Sequence, residues 1–274
     1  MSALLLLTLI FVNPDDTFIH KQQQLISTLY YTADYYQCIA ESRRYSMLTD
    51  DNMDYTIALC YCKGNQLATA VAILQKKEKK EYCDYLLLSK AYSSMQHYHD
   101  ALHALSLCDI SAQDKPLQLL YYQNILAVYI NHYDWDNALN VYTEHSDRLQ
   151  QMHQVYTILN AAQKEKINPY VAATLSAIIP GSGHCYARHR ADGLISFITV
   201  AVLSAATYFA YSQGSIALTC TLGTLTAIGY AGNVYSAYNS AIHTQETMNN
   251  NYRTELNRYL EYNPEQFLPQ WMKK

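Results

Sequence analysis

Before position 181 the chain holds a single glycine, Gly64; the other seven of its eight lie at Gly181 or beyond. A first half this poor in glycine has no loop that could wrap a phosphate. Charge is missing elsewhere: the 53 residues from 193 to 245 contain no Asp, Glu, Lys or Arg. Cys-x-x-Cys pairs are absent, and the seven cysteines are an odd number, which argues against a disulfide framework or a thiolate metal site. Basic clusters are scarce too. Residues 14–166 carry 13 Lys/Arg against 18 Asp/Glu, and residues 167–274 carry 6 against 5. Nucleic acid is thereby excluded as a partner, because neutralising phosphates needs clustered cations. The one basic run, Lys76-Lys77-Glu78-Lys79-Lys80, reads as a solvated helix end. The half up to residue 166 shows no nucleophile–base pairing and no paired carboxylates, and no catalytic residue, cofactor or metal is assigned to the chain.

What is present is segregated. Ser2 to Val12 form an 11-residue apolar run followed by Asn13-Pro14-Asp15-Asp16. The run is too short to cross a bilayer and has the length of a signal-peptide core, although no basic residue precedes it and no small-x-small site follows. Residues 1–13 are therefore expected to be a signal peptide or an N-terminal apolar segment.

From 14 to 166 apolar residues recur at helical spacing in paired blocks. Tyr85, Leu88, Ser89 and Tyr92 are followed by Ala101, Leu105 and Cys108. Tyr122, Ile125, Leu126 and Tyr129 are followed by Ala138 and Tyr142; Ile57, Ala58 and Tyr61 by Ala70 and Leu74; Ile26, Leu29 and Tyr30 by Cys38 and Ser42. The small residues Cys38, Ala70, Ala101 and Ala138 are spaced 32, 31 and 37 apart. This arrangement resembles the tetratricopeptide repeat, with Ser89 where that family usually has glycine and its expected proline matched only loosely by Pro116. The resemblance implies stacked helix pairs with a concave groove, lined here by Lys63, Lys90, Gln123 and Asn131, that binds a segment of another protein. Cys38, Cys60, Cys62, Cys83 and Cys108 fall at apolar helical positions and are expected to pack as small hydrophobes. His99 and His103 have a metal-compatible spacing, but no third ligand is defined.

Residues 167–245 read as a membrane module: a short apolar helix at 170–179, a loop at 180–192, and spans at 193–211 and 215–238. Gly223, Ala227 and Ala231 step by four along the second span and are expected to pack it against the first. In the loop, Pro180, Gly181 and Gly183 break the helix, Tyr186, Arg188 and Arg190 suit the lipid headgroups, and Asp192 is placed to cap the helix that starts near Gly193. The Pro-Gly-x-Gly-x-x-Tyr pattern of Pro180 to Tyr186 resembles the loop of small two-transmembrane-helix modules of bacterial membrane proteins, some of which carry helical repeats. Residues 246–274 are expected to form an amphipathic tail, with Trp271 and Lys273-Lys274 as an interfacial anchor.

The expectation is an all-α protein: a helical-repeat solenoid followed by a transmembrane helical hairpin. It would be a non-catalytic adaptor in a bacterial inner membrane, contacting the lipid bilayer and a protein partner, with the repeats extracytoplasmic. A third crossing within 167–187 would reconcile an exported N-terminus with cytoplasmic arginines. Two other readings use the same residues: a subunit of a membrane transport or protein-insertion machine, and a membrane hydrolase using His184 and His189.

Overall fold

A computed structural model describes residues 16–111, 113–260 and 262–273. The apolar run at 1–13 and Lys274 lie outside the described residues. Every regular element described is helical, with no strand among them, as expected. The described residues fall into two compact units: those of 16–152 together with those of 259–273, and residues 153–258.

The first unit contains α1 (Asp16–Tyr31), α2 (Tyr35–Thr49), α3 (Asp54–Lys63), α4 (Leu67–Lys76), α5 (Tyr82–Ser94), α6 (Tyr98–Ser106), α7 (Lys115–Asn131), α8 (Trp135–Glu144) and the single turn α9 (Ser146–Leu149). Consecutive helices pack on one another, and α3, α5 and α7 also touch in sequence, so α5 is flanked by both. One turn geometry joins the two helices of each pair. Ala33, Asn65, Gln96 and Tyr133 are left-handed, with φ of 61°, 58°, 64° and 60°. At Gln96 the backbone N–H donates to Ser93 O at 3.0 Å and the next N–H, of His97, donates to Tyr92 O at 2.9 Å. The other three turns repeat that bonding. It ends the first helix by satisfying carbonyls that would otherwise be orphaned, and it reverses the chain within three residues.

Five residues beyond each left-handed position comes Cys38, Ala70, Ala101 or Ala138, each 0% exposed. A small side chain there lets the two helices of a pair approach closely. Cys38, Cys60 and Cys108 are buried and Cys62 and Cys83 half-buried; all are free thiols. Packing of Ile26, Leu59, Leu74 and Leu87 continues around them.

The second unit contains α10 (His153–Lys164), α11 (Pro169–Ile178), α12 (Ser182–Tyr186), α13 (Arg190–Ser212) and α14, which runs unbroken over 44 residues from Ile216 to Tyr259. No helix end falls near 245, where the tail was expected to begin: nothing between 238 and 259 is a Pro or Gly, so helical hydrogen bonding simply continues. α13 starts at Arg190, and Asp192 lies inside its first turn, paired with His189 at 3.3 Å, and does not cap it. Nor is there a helix of spanning length within 167–187. α11 has ten residues, about 15 Å of rise against a hydrocarbon core of about 30 Å, and the chain then turns at left-handed Gly181.

Candidate functional site

The most heavily built site lies in the first unit, where the chain's own C-terminal segment runs across α1, α3 and α5. After α14 the segment forms two short 3-10 turns, Pro264–Phe267 and Gln270–Met272. It makes no ladder with its surroundings and is gripped by side chains. Lys90 Nζ donates to the Tyr262 carbonyl at 3.2 Å, the Tyr55 hydroxyl to the Pro264 carbonyl at 2.8 Å, and the Tyr31 hydroxyl to the Met272 carbonyl at 2.9 Å. Glu265 Oε1 accepts from Lys63 Nζ at 2.9 Å and from the Tyr30 hydroxyl at 3.1 Å. In all five bonds the groove donates and the segment accepts.

Electrostatics fixes that polarity. The hydrogen bond from Lys63 holds the Glu265 carboxyl below its usual value despite partial burial. Burial and the neighbouring Glu265 push the Tyr30 hydroxyl far up; burial and Tyr262 do the same to Tyr55. Both phenols therefore stay protonated donors, and Glu265 stays an anion. Apolar anchors complete the site. Tyr262, Leu268 and Met272 are 7%, 2% and 0% exposed. The Phe267 ring meets Tyr55 and Tyr82 with centroids 6.3 and 6.2 Å away, and Lys90 sits 5.1 Å above the Tyr262 ring. A cleft of about 560 Å³ stays open alongside, lined by Leu59, Cys62, Lys63, Leu87, Lys90 and Pro264.

Of the four residues expected to line a groove, Lys63 and Lys90 thus come together on one ligand-like segment. Gln123 instead approaches the Met152 sulfur at 3.5 Å, and the Asn131 carbonyl accepts from the Tyr98 hydroxyl at 3.3 Å. Trp271, expected at a lipid interface, packs on Tyr45 with ring centroids 5.5 Å apart, because the segment's amphipathic face is covered by the first unit.

The glycine-bearing loop of the second unit is the other dense cluster. A Cβ on Gly181 would lie 2.0 Å from Gly193 O, one on Gly183 1.9 Å from Ala172 O, and one on Gly193 2.6 Å from Gly181 O. Bare backbones touch at all three places. Buried Asn233 clasps them, accepting from Gly181 N–H at 3.1 Å and donating to Ser176 O at 3.3 Å, while the Ser176 hydroxyl accepts from Gly183 N–H at 3.0 Å. The Tyr230 hydroxyl donates to the Ala177 carbonyl in the last turn of α11. Tyr186 accepts from Asn168 N–H, Arg188 pairs with Glu165 at 3.2 Å, and Arg190 opens α13. His184 bonds Ser236 and His189 bonds Thr244, each at 3.1 Å, so each is held by a hydroxyl of α14. Among the described residues no three His, Cys, Asp or Glu side chains converge on a metal position.

No family model, curated protein or solved structure matches this chain. Beside the two clusters, the surface of α13 and α14 is the third distinctive feature of the chain.

That surface is unusual. α13 is the one helix among those described that is long and apolar enough to cross a membrane, and only 17% of its apolar stretch is buried. Leu194, Ile195, Val202 and Phe209 are at least 60% exposed. In α14, Ile216 and Ile228 are likewise exposed, though its first half falls short of α13 in hydropathy. Of the small residues stepping by four along α14, Gly223 lies against α13, where an added Cβ would sit 3.7 Å from Thr207 Cγ2. Ala227 and Ala231 are exposed, and all three line an open groove of about 690 Å³ beside Thr207, Tyr208 and Tyr211. The two helices meet through longer side chains, at Thr207–Thr226 (3.0 Å) and Leu203 over Gly229.

Proposed function

We propose that the chain is a membrane-anchored, non-catalytic adaptor whose tetratricopeptide-like solenoid docks a segment of a protein partner. The carrying observation is the groove across α1, α3 and α5, in which five side-chain donors hold the C-terminal segment by three of its carbonyls and the Glu265 carboxylate. Stacked helix pairs with a small residue five positions beyond each left-handed turn are the form such a docking module takes.

Anchoring is supported by α13: the core helix of a water-soluble domain would be buried, whereas this one presents leucine, isoleucine, valine and phenylalanine outward with no ionisable residue beyond Asp192. With the first part of α14 it would make a hairpin whose tip is Gln213-Gly214-Ser215. Residues 16–152 and the segment 262–273 belong to one folded unit, so the chain between them must cross a bilayer an even number of times. This reading takes the two spans of the hairpin and leaves out the third crossing within 167–187 that would reconcile an exported N-terminus with cytoplasmic arginines. Unit one, the basic loop and the C-terminal segment then share a side. Lys164, Lys166, Arg188 and Arg190 flank the hairpin on that side and none lies at its tip, which favours the cytoplasmic face over the extracytoplasmic placement expected from residues 1–13. Seven free thiols suit that compartment.

The test is fractionation with two variants. The wild-type chain should remain in alkaline-washed membranes and Val200→Arg should release it. Lys63→Glu should stay in the membrane and lose its co-purifying partner. Retention of the partner by Lys63→Glu would contradict the docking reading.

A further inference from the structure

The C-terminal segment is held in the manner of a bound peptide. Three of its carbonyls are caught by Lys90, Tyr55 and Tyr31, contacts that any peptide backbone could make. Selectivity enters at particular side chains: Tyr262 beneath Lys90, Glu265 between Lys63 and Tyr30, Phe267 between Tyr55 and Tyr82, and Leu268 in the apolar floor. Pro264 opens one 3-10 turn and Pro269 precedes the other, so the segment passes the groove as two short turns and not as a continuous α-helix. The cleft beside Pro264 leaves an approach to the site.

We propose that this groove reads a short partner segment carrying an aromatic residue, a Pro-Glu pair and a following Phe-Leu pair, and that residues 262–272 are its intramolecular competitor. The proposal rests on the docking reading above and adds the chemistry of the ligand and the block that a partner must displace. A tethered competitor acts at a high effective concentration, so a partner would need either greater affinity or a second contact, for instance at the membrane, to enter.

The experiment uses purified full-length protein in detergent and a fluorescent synthetic peptide of residues 260–273, read by anisotropy. The variant Tyr262→Ala/Trp271→Ala, whose own segment has lost two anchors, should bind the peptide at least tenfold more tightly than the wild type. Peptide carrying Glu265→Lys should bind it at least tenfold more weakly, and adding Lys63→Glu to the protein should restore that loss. A variant that melts cooperatively by circular dichroism yet binds no peptide overturns the proposal, and so does a variant whose first unit no longer folds, because the segment is then integral core. A wild-type dimer by light scattering that the variant abolishes would make a second copy the occupant and overturn it as well. Peptide binding is measured without any partner, so its failure is distinct from a failure of the co-purification test.

Discussion

Lys63 and Glu265 are 202 residues apart in the chain and 2.9 Å apart in space, joining the end of α3 to the C-terminal segment. The pair is partly solvated, with 40% and 30% of the two side chains exposed, so it is worth only about 0.2–1 kcal/mol. Its value lies in register: it places Glu265 so that the buried neighbours on either side fall on their own contacts.

Acid should loosen the segment. The Glu265 carboxyl is held low in the folded state, so its contribution is complete above the usual glutamate value of about 4.3 and is lost as pH falls through the lower folded value. In a Trp135→Phe background, Trp271 emission should shift to the red on acidification below about pH 4. Glu265→Gln should be slightly less stable at neutral pH and should lose that part of the pH dependence.

Asp84 offers a sharper stability test. Its carboxylate is fully buried, with Oδ2 accepting from Lys77 Nζ at 2.7 Å and from Glu81 N–H at 2.7 Å. Burial alone would lower the Lys77 ammonium, and the hydrogen bond to Asp84 overrides it, leaving it raised. Lys77→Met strands a buried charge and should cost about 3–5 kcal/mol in denaturant titration. Lys77→Met/Asp84→Leu should recover most of that, less about 1 kcal/mol for the helix cap that Asp84 completes at Glu81.

Two glycines of the second unit should respond in opposite ways. Gly183→Ala drives a methyl into the Ala172 carbonyl and should cost about 3 kcal/mol or more, seen as proteolytic loss of the loop. Gly223→Ala meets only Thr207 Cγ2 at 3.7 Å and should be neutral or stabilise α14 by up to about 1 kcal/mol.

Helix content and the positions of Cys38, Ala70, Ala101 and Ala138 were legible because helical spacing is a local property of the sequence. The turns were partly hidden. Ala33, Gln96 and Tyr133 take a conformation usually given to glycine, and even beside Gly64 the left-handed residue is Asn65. Lys63 and Lys90 stand out in the sequence only by their place on the first helices of the repeats, and nothing local announces that Tyr262 and Glu265 meet them. An amphipathic stretch with Trp271 looks the same whether a bilayer or a protein covers it. Asn233 was missed as the clasp of the glycine loop. Its signal was there to be read, since it is the one amide in the apolar stretch 215–238 and needs partners for its hydrogen-bonding groups.

The central claim is that the chain crosses a membrane twice, with the groove and its occupant on one side. Single cysteines placed at exposed Gln96, Gln213 and Gln270 in a variant lacking the seven native thiols test it directly in intact cells. With a membrane-impermeant thiol reagent, the account predicts that Gln213→Cys is labelled and that Gln96→Cys and Gln270→Cys are both protected until the cells are opened. Equal labelling at all three positions, or opposite behaviour of Gln96→Cys and Gln270→Cys, would contradict it.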